Sequence, residues 1–121
     1  MALGPIEAVR VFTRKLSEAR RFYGERLSLS EKLATDAIAI FDTGQAKLIV
    51  EHVDTTDPEA NGLVGRFTAF SFTVTSMETT LAELRGRSIE WVGLPERQPW
   101  GGLLSHLKDP DGNILTLVQY P

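Results

Sequence analysis

The side chains able to do chemistry are few in this 121-residue chain, because it has no cysteine and only two histidines. His52 follows Glu51 in the run LIVEHV, and His106 precedes Asp109 by three residues in HLKD. The lack of cysteine excludes thiolate nucleophiles, cysteine metal sites and disulfides together. Any reaction must therefore use His, carboxylate, Tyr, Lys or Arg side chains, or a bound cofactor.

Charge and hydropathy exclude two classes of partner. The chain has 13 basic and 16 acidic residues, a net charge of -3, so it lacks the basic footprint of a nucleic-acid-binding protein. No apolar run approaches the roughly 20 residues of a membrane span, and the start MALGPIEAVRVF does not resemble a secretory signal. We expect one cytoplasmic domain over residues 1–121, with no nucleic-acid or membrane partner.

The first half of the chain, about residues 5–53, predicts a strand, a helix and three more strands. Residues 6–12 alternate as a strand, and Ser17 opens a helical pattern with Ala19, Phe22, Tyr23 and Leu27 on one face. Phe22 and Tyr23 are assigned to packing. The runs EKLA, AIAIF and AKLIVEHV follow as strands, the last two joined at Gly44.

The second half, residues 67–121, repeats this order after a polar linker at 54–66. FTAFSFTVT predicts a strand, Ser76 caps a helix that stops at Gly86, and IEWVGL is the next strand. The last two strands flank Asp111-Gly112, a two-residue hairpin signal. We predict an α+β fold of two βαβββ repeats, whose curved mixed sheets form half-barrels around a cavity.

Four segments of the chain resemble the vicinal-oxygen-chelate superfamily, which includes glyoxalase I, extradiol dioxygenases, fosfomycin-resistance enzymes and bleomycin-resistance proteins. They are LSEARRFYGERLSL, SMETTLAELRGRSI, QPWGG and DPDGNILTL. The resemblance covers nearly the whole chain and implies a glyoxalase-like fold. It also implies, in the enzymatic members, a Zn²⁺, Mn²⁺, Ni²⁺ or Fe²⁺ ion held by His, Gln or Glu on the first and last strands of each half.

The resemblance maps those four ligand positions onto Ala8, Glu51, Ala69 and Thr116. Only Glu51 has a side chain of the required type, and one ligand cannot hold a catalytic metal. We therefore expect no metal or other cofactor. The favoured function is binding of a small organic molecule, aromatic or antibiotic-like, which the protein sequesters without chemistry, as bleomycin-resistance members do.

Two alternatives stay open. Glu51 with His106 and a third group such as Tyr120 would form a shifted metal or acid-base site, in a lyase or dioxygenase-like enzyme. A paralogue without any ligand is the other alternative. Because neighbouring strand residues face opposite sides, only one of Glu51 and His52 can point into the cavity.

The predicted ligand-binding residues lie on strands, or in a loop between strands, where their side chains can line the cavity. Trp100 lies in the irregular loop QPWGG, where a large ring is well placed to line a pocket or stack on a flat ligand. The resemblance also implies a homodimer with sites near or across the subunit interface. The predicted set is Glu51, Trp100, His106, Thr116 and Phe41.

Overall fold

The computed structural model describes residues 2–121 and divides into two compact units. Unit 1 ends at Val64 and unit 2 begins at Gly65. The division falls inside the segment 54–66 that the sequence analysis interprets as a linker.

Unit 1 has a four-stranded mixed sheet in the order β1-β4-β3-β2. Strand β1 runs parallel to β4, whereas the β2/β3 and β3/β4 pairs are antiparallel. The predicted βαβββ order is confirmed. The elements are β1 (Ala8–Thr13), α1 (Leu16–Arg21) continued by a π-helical segment (Phe22–Arg26), β2 (Ser30–Ala34), β3 (Ile38–Asp42), β4 (Lys47–His52) and the short helix α2 (Pro58–Asn61).

The core of unit 1 lies between its helical segments and one face of its sheet. Phe22 and Tyr23 are fully buried, which confirms their packing role, and their rings meet edge to face at 5.1 Å. The Tyr23 ring also lies 6.0 Å from the ring of Phe41 on β3. Removing these large side chains from water stabilises this unit.

Helix α2 lies within the predicted linker, where the sequence analysis predicts no helix. The Asp57 side chain accepts a hydrogen bond from the Glu59 backbone N–H, and Pro58 occupies the first turn. Both are helix-start signals, and they are present in the sequence.

Unit 2 repeats the same topology in the order β5-β8-β7-β6, again with one parallel pair, β5/β8. The predicted cap is confirmed, because the Ser76 side chain accepts from the Thr79 backbone N–H. The elements are β5 (Phe67–Thr73), α3 (Met77–Leu84), β6 (Glu90–Arg97), β7 (Leu103–Lys108) and β8 (Ile114–Gln119).

The turn between β7 and β8 is longer than the predicted two-residue hairpin, since the residues from Asp109 to Asn113 separate the strands. Asp109 Oδ1 accepts from the backbone N–H groups of Asp111 and Asn113. Asn113 Oδ1 in turn accepts from the N–H groups of Gly65 and Arg66. These two buried side chains close the turn themselves and tie it to the start of β5.

No helix within residues 2–121 is long and apolar enough to cross a membrane.

Candidate functional site

Each sheet has one face against the helix of its own unit, and we call the opposite face helix-distal. In unit 1 the contact of Tyr23 with Phe41 identifies the helix side. In unit 2, Gln119 Oε1 accepts from the N-terminal N–H of α3 at Met77, at 2.6 Å, so Gln119 lies on the helix side. Since side chains alternate along a strand, these contacts assign the other strand positions to one face or the other.

The helix-distal face of unit 1 carries an ion pair among apolar neighbours. Arg10 Nη1 donates to Glu51 Oε1 at 2.7 Å. In the strand register Glu51 lies opposite Phe12 on β1 and Ile38 on β3. The one carboxylate at a family ligand position therefore has a cation as its partner and hydrocarbon on both sides.

The first family position, Ala8, does not lie next to Glu51. It pairs with Lys47, four residues along β1 from the Phe12–Glu51 pair, which is about 13 Å at the rise of a strand. His52 lies on the other face from Glu51, opposite Thr13. The histidine next to Glu51 is thus not part of the same surface.

The helix-distal face of unit 2 joins two of the predicted residues directly. His106 Nδ1 lies 3.0 Å from Thr116 Oγ1, within hydrogen-bond distance, and the two residues are opposite each other on β7 and β8. Ser71 on β5 is opposite Thr116, and Val92 on β6 is opposite His106. The Phe67 ring meets the imidazole edge to face at 6.0 Å and is 56% exposed.

Trp100 extends this face beyond the start of β7. A Cβ atom placed on Gly102 would lie 1.9 Å from the Trp100 ring, so the ring occupies the space above that glycine. Gly102 is two residues before Leu104 and four before His106, which puts the ring on their side of the sheet. The Tyr120 ring packs on Trp100 at 5.6 Å, and the two rings are 64% and 49% exposed respectively.

Of the five predicted residues, the structure brings His106, Thr116 and Trp100 to one face of unit 2. Glu51 lies on the corresponding face of unit 1. Phe41 is fully buried on the helix side, where its ring packs on Tyr23 and is accounted for by that contact.

Two residues of these faces, Arg10 and Phe67, are not among those predicted from the sequence. Arg10 interrupts the apolar alternation AVRVF, and a charged residue at such a position was the available signal. Phe67 begins the run FTAFSFTVT, but its face was unpredictable because β5 shifts register between Phe67 and Ser71. Ala69, within that shift, has a φ of 69°, a left-handed conformation rare for a residue with a Cβ.

The residues present do not fit the metal centre that the family resemblance implies. Within residues 2–121, no group of three or more His, Cys, Asp or Glu side chains is close enough to hold a metal ion. Thr116 is engaged with His106, and the conceivable third group, Tyr120, packs on Trp100. Glu51 is paired with Arg10.

A separate charged cleft lies in unit 1, with a volume of about 270 Å³. Arg20 donates two hydrogen bonds to Glu31, from Nε at 2.7 Å and Nη2 at 2.9 Å. Hydrogen bonding to Arg20 is the main reason why the pKa of the Glu31 carboxyl is lowered, and the same pair raises the pKa of Arg20. The lining residues are Ser17, Arg20, Arg21, Gly24, Glu25 and Glu31.

Solved structures with this fold come from several bacteria. A member of the glyoxalase/bleomycin resistance protein/dioxygenase superfamily from Sphaerobacter thermophilus is similar with a TM-score of 0.81 and 18% identity, over 98% of this chain and 99% of that one. A lactoylglutathione lyase from Agrobacterium tumefaciens is similar with a TM-score of 0.78 and 20% identity, over 97% of this chain and 94% of that one. A glyoxalase-related enzyme from Fulvimarina pelagi is similar with a TM-score of 0.76 and 20% identity, over 98% of this chain and 90% of that one.

At this level of identity the structural matches show the fold, and activity does not follow from them. No curated protein matches this chain. The family profile described as Glyoxalase/Bleomycin resistance protein/Dioxygenase superfamily matches residues 5–117. The chain therefore belongs to the glyoxalase/bleomycin resistance/dioxygenase superfamily.

Proposed function

We propose that this protein binds a small planar organic molecule, aromatic or antibiotic-like, on the helix-distal face of unit 2, and sequesters it without a metal at the family position. The observation that carries the proposal is the half-exposed Trp100 ring, held over Gly102 and against Tyr120. An indole fixed in this way offers a flat apolar surface with little conformational entropy left to lose on binding.

The composition of the face supports an organic ligand. Leu104 and Val118 are opposite each other between the Trp100–Tyr120 stack and the His106–Thr116 pair. Two apolar side chains thus lie between the aromatic stack and the polar pair, and small-molecule sites usually combine apolar walls with a few placed polar groups.

The absence of metal at the family position is part of the proposal and rests on the side chains. Ala8 and Ala69 have no donor atoms, and the Glu51 carboxylate accepts from Arg10. A metal at Glu51 would have to displace a guanidinium at 2.7 Å and would find Phe12 and Ile38 as its next neighbours.

The proposal is tested by titrating the protein with 2-naphthoate and with bleomycin while tryptophan fluorescence and calorimetry are recorded. We expect 2-naphthoate to bind and Trp100→Ala to weaken it about tenfold, the scale of an aromatic stacking contact. Trp91→Phe is the matched control, because Trp91 pairs with Leu107 on the helix side of the same sheet. Equal affinity in Trp100→Ala and the parent protein would refute the placement of the site.

We further propose that the protein is a homodimer, as small members of the superfamily commonly are. Light scattering coupled to size exclusion should return twice the mass of one chain. A single-chain mass at the concentrations used for binding would contradict this.

A further inference from the structure

We propose that His106 donates a hydrogen bond from Nε2 to an oxygen of the bound molecule, and that Thr116 positions the imidazole for this by fixing its tautomer. This proposal rests on the proposed function and specifies the ligand class: an aromatic molecule that carries a hydrogen-bond-accepting oxygen, such as a carboxylate, phenolate or ring carbonyl.

The tautomer follows from the Thr116 hydroxyl. Thr116 is buried, and a buried hydroxyl proton requires an acceptor. Within residues 2–121 the hydrogen-bond partner of Thr116 Oγ1 is His106 Nδ1, at 3.0 Å. The hydroxyl therefore donates to Nδ1, and the imidazole proton is on Nε2, because a neutral imidazole has one donor and one acceptor nitrogen.

The Nε2–H group has no hydrogen-bond partner in the described part of the chain, and the imidazole is only partly buried. The Phe67 ring, edge to face with the imidazole, offers an apolar surface beside it. An oxygen attached to a flat ring therefore satisfies the open donor while the ring rests on apolar side chains.

The charged groups nearest in the register do not provide this acceptor. Glu90 on β6 forms an ion pair with Lys108 on β7 at 3.3 Å. These two residues lie on the same face as the opposite residues Val92 and His106, two positions farther along their strands. Glu96 lies opposite Leu104 in the other direction. Strands β5 and β8 present no ionisable side chain to His106, since their residues on this face are Phe67, Ser71, Thr73, Ile114, Thr116 and Val118.

The test compares two probes with the same ring, 2-naphthoate and 2-(aminomethyl)naphthalene, at about pH 8, where an ordinary imidazole is neutral. The first has only acceptor oxygens, and the second has only donor N–H groups. We expect 2-naphthoate to bind at least about tenfold more tightly, the scale of a hydrogen bond to a charged group. His106→Phe should remove the difference, because it keeps a ring beside Phe67 and deletes the donor.

Nitrogen-15 NMR of the two histidines in the parent protein supplies a readout that does not depend on the folding of any variant. His106 should show the Nε2–H tautomer, and Thr116→Val, which deletes the hydroxyl at nearly constant shape, should shift it toward a mixture. Adding 2-naphthoate should move the His106 Nε2 signal and leave that of His52 in place.

Equal binding of both probes, or an unshifted tautomer in Thr116→Val, would overturn this inference. If both probes bind equally and both depend on Trp100, the proposed function stands and only the inference about His106 fails. If neither probe binds the parent protein, the proposed function itself fails.

Discussion

In unit 1 the ion pair of the helix-distal face is satisfied by its own two side chains, with Arg10 Nη1 2.7 Å from Glu51 and Phe12 and Ile38 opposite Glu51. In unit 2 the corresponding face carries a hydroxyl–imidazole pair that leaves one nitrogen without a partner in the described chain, and a half-exposed tryptophan lies farther along the same face. The two sheets nevertheless have the same strand order. The repeated unit thus determines where side chains lie, and the residues at a few strand positions determine whether a face can bind a ligand.

The largest expected difference between the two units is in the stability lost when a side chain of the last hairpin turn is removed. Asn113→Ala removes the acceptor for the Gly65 and Arg66 N–H groups and a donor to Asp109 Oδ2. We expect this change to lower the free energy of unfolding by about 3 kcal/mol in urea titrations, because buried polar groups lose their partners.

The matched change in unit 1 is Asp42→Ala, which removes an acceptor for the Gly44 N–H at 2.8 Å in an exposed turn. The expected cost is below about 1 kcal/mol. Similar costs for the two variants would show that the buried network of unit 2 has no special role.

Gly102→Ala tests whether the position of the Trp100 ring over Gly102 makes the face of unit 2 able to bind a ligand. The new Cβ would lie 1.9 Å from the Trp100 ring and 2.7 Å from the Gln119 backbone oxygen, so the ring must leave its place over Gly102 and the backbone at Gln119 must shift as well. We expect 2-naphthoate affinity to fall about tenfold, as for Trp100→Ala. Combining both changes should cost no more than either alone, because both remove the same stacking surface. Additive losses in calorimetric titrations would place the ring elsewhere.

The Arg10–Glu51 pair tests the interpretation of unit 1 as a self-satisfied face. A double-mutant cycle with Arg10→Ala and Glu51→Ala, followed by urea unfolding, should give a coupling energy below about 1 kcal/mol, because both side chains are partly exposed. A coupling of several kcal/mol would mean that the pair is desolvated and that Glu51 has a larger role than charge pairing.

The smallest effect concerns the charged cleft. The pKa of Glu31 is lowered from its ordinary value of 4.5 chiefly by hydrogen bonds from Arg20. A carboxyl whose pKa is lowered by folding contributes stability above its unfolded-state pKa and loses that contribution as the pH falls through the folded-state value. Glu31→Gln should therefore be slightly less stable than the parent near neutral pH and equal to it in strong acid.

The control is Glu25→Gln, which changes a carboxylate of the same cleft that forms no ion pair in the described chain. Thermal melts across the acidic range should show no such pH-dependent difference for this variant. If the difference in melting temperature between Glu31→Gln and the parent stays constant down to strong acid, the Glu31 carboxylate is not the source of the stability difference.

Much of the fold could be predicted, because alternation and helical periodicity are local properties and the order of elements repeats. The π-helical turn at Phe22–Arg26 could not, since the apolar spacing of Phe22, Tyr23 and Leu27 also fits an ordinary helix. Strand β6 extends to Arg97 beyond the predicted IEWVGL, past an irregularity in which Gly93 has a φ of 73°.

The site was only partly predictable, because it depends on which face each residue occupies. His106 and Thr116 could be assigned to the last two strands, but their contact required the register of the long turn between them. Phe41 lies on the helix side, a side that the run AIAIF does not reveal, since every position in it is apolar.

We propose above all that the protein binds an aromatic ligand without a metal at the family position. The most direct measurement is 2-naphthoate affinity by calorimetry, first in excess EDTA and then after equilibration with Zn²⁺, Mn²⁺, Ni²⁺ or Fe²⁺. We predict the same affinity in every condition, with a loss in Trp100→Ala and none in Glu51→Ala. Binding that requires one of these metals and disappears in Glu51→Ala would contradict the account.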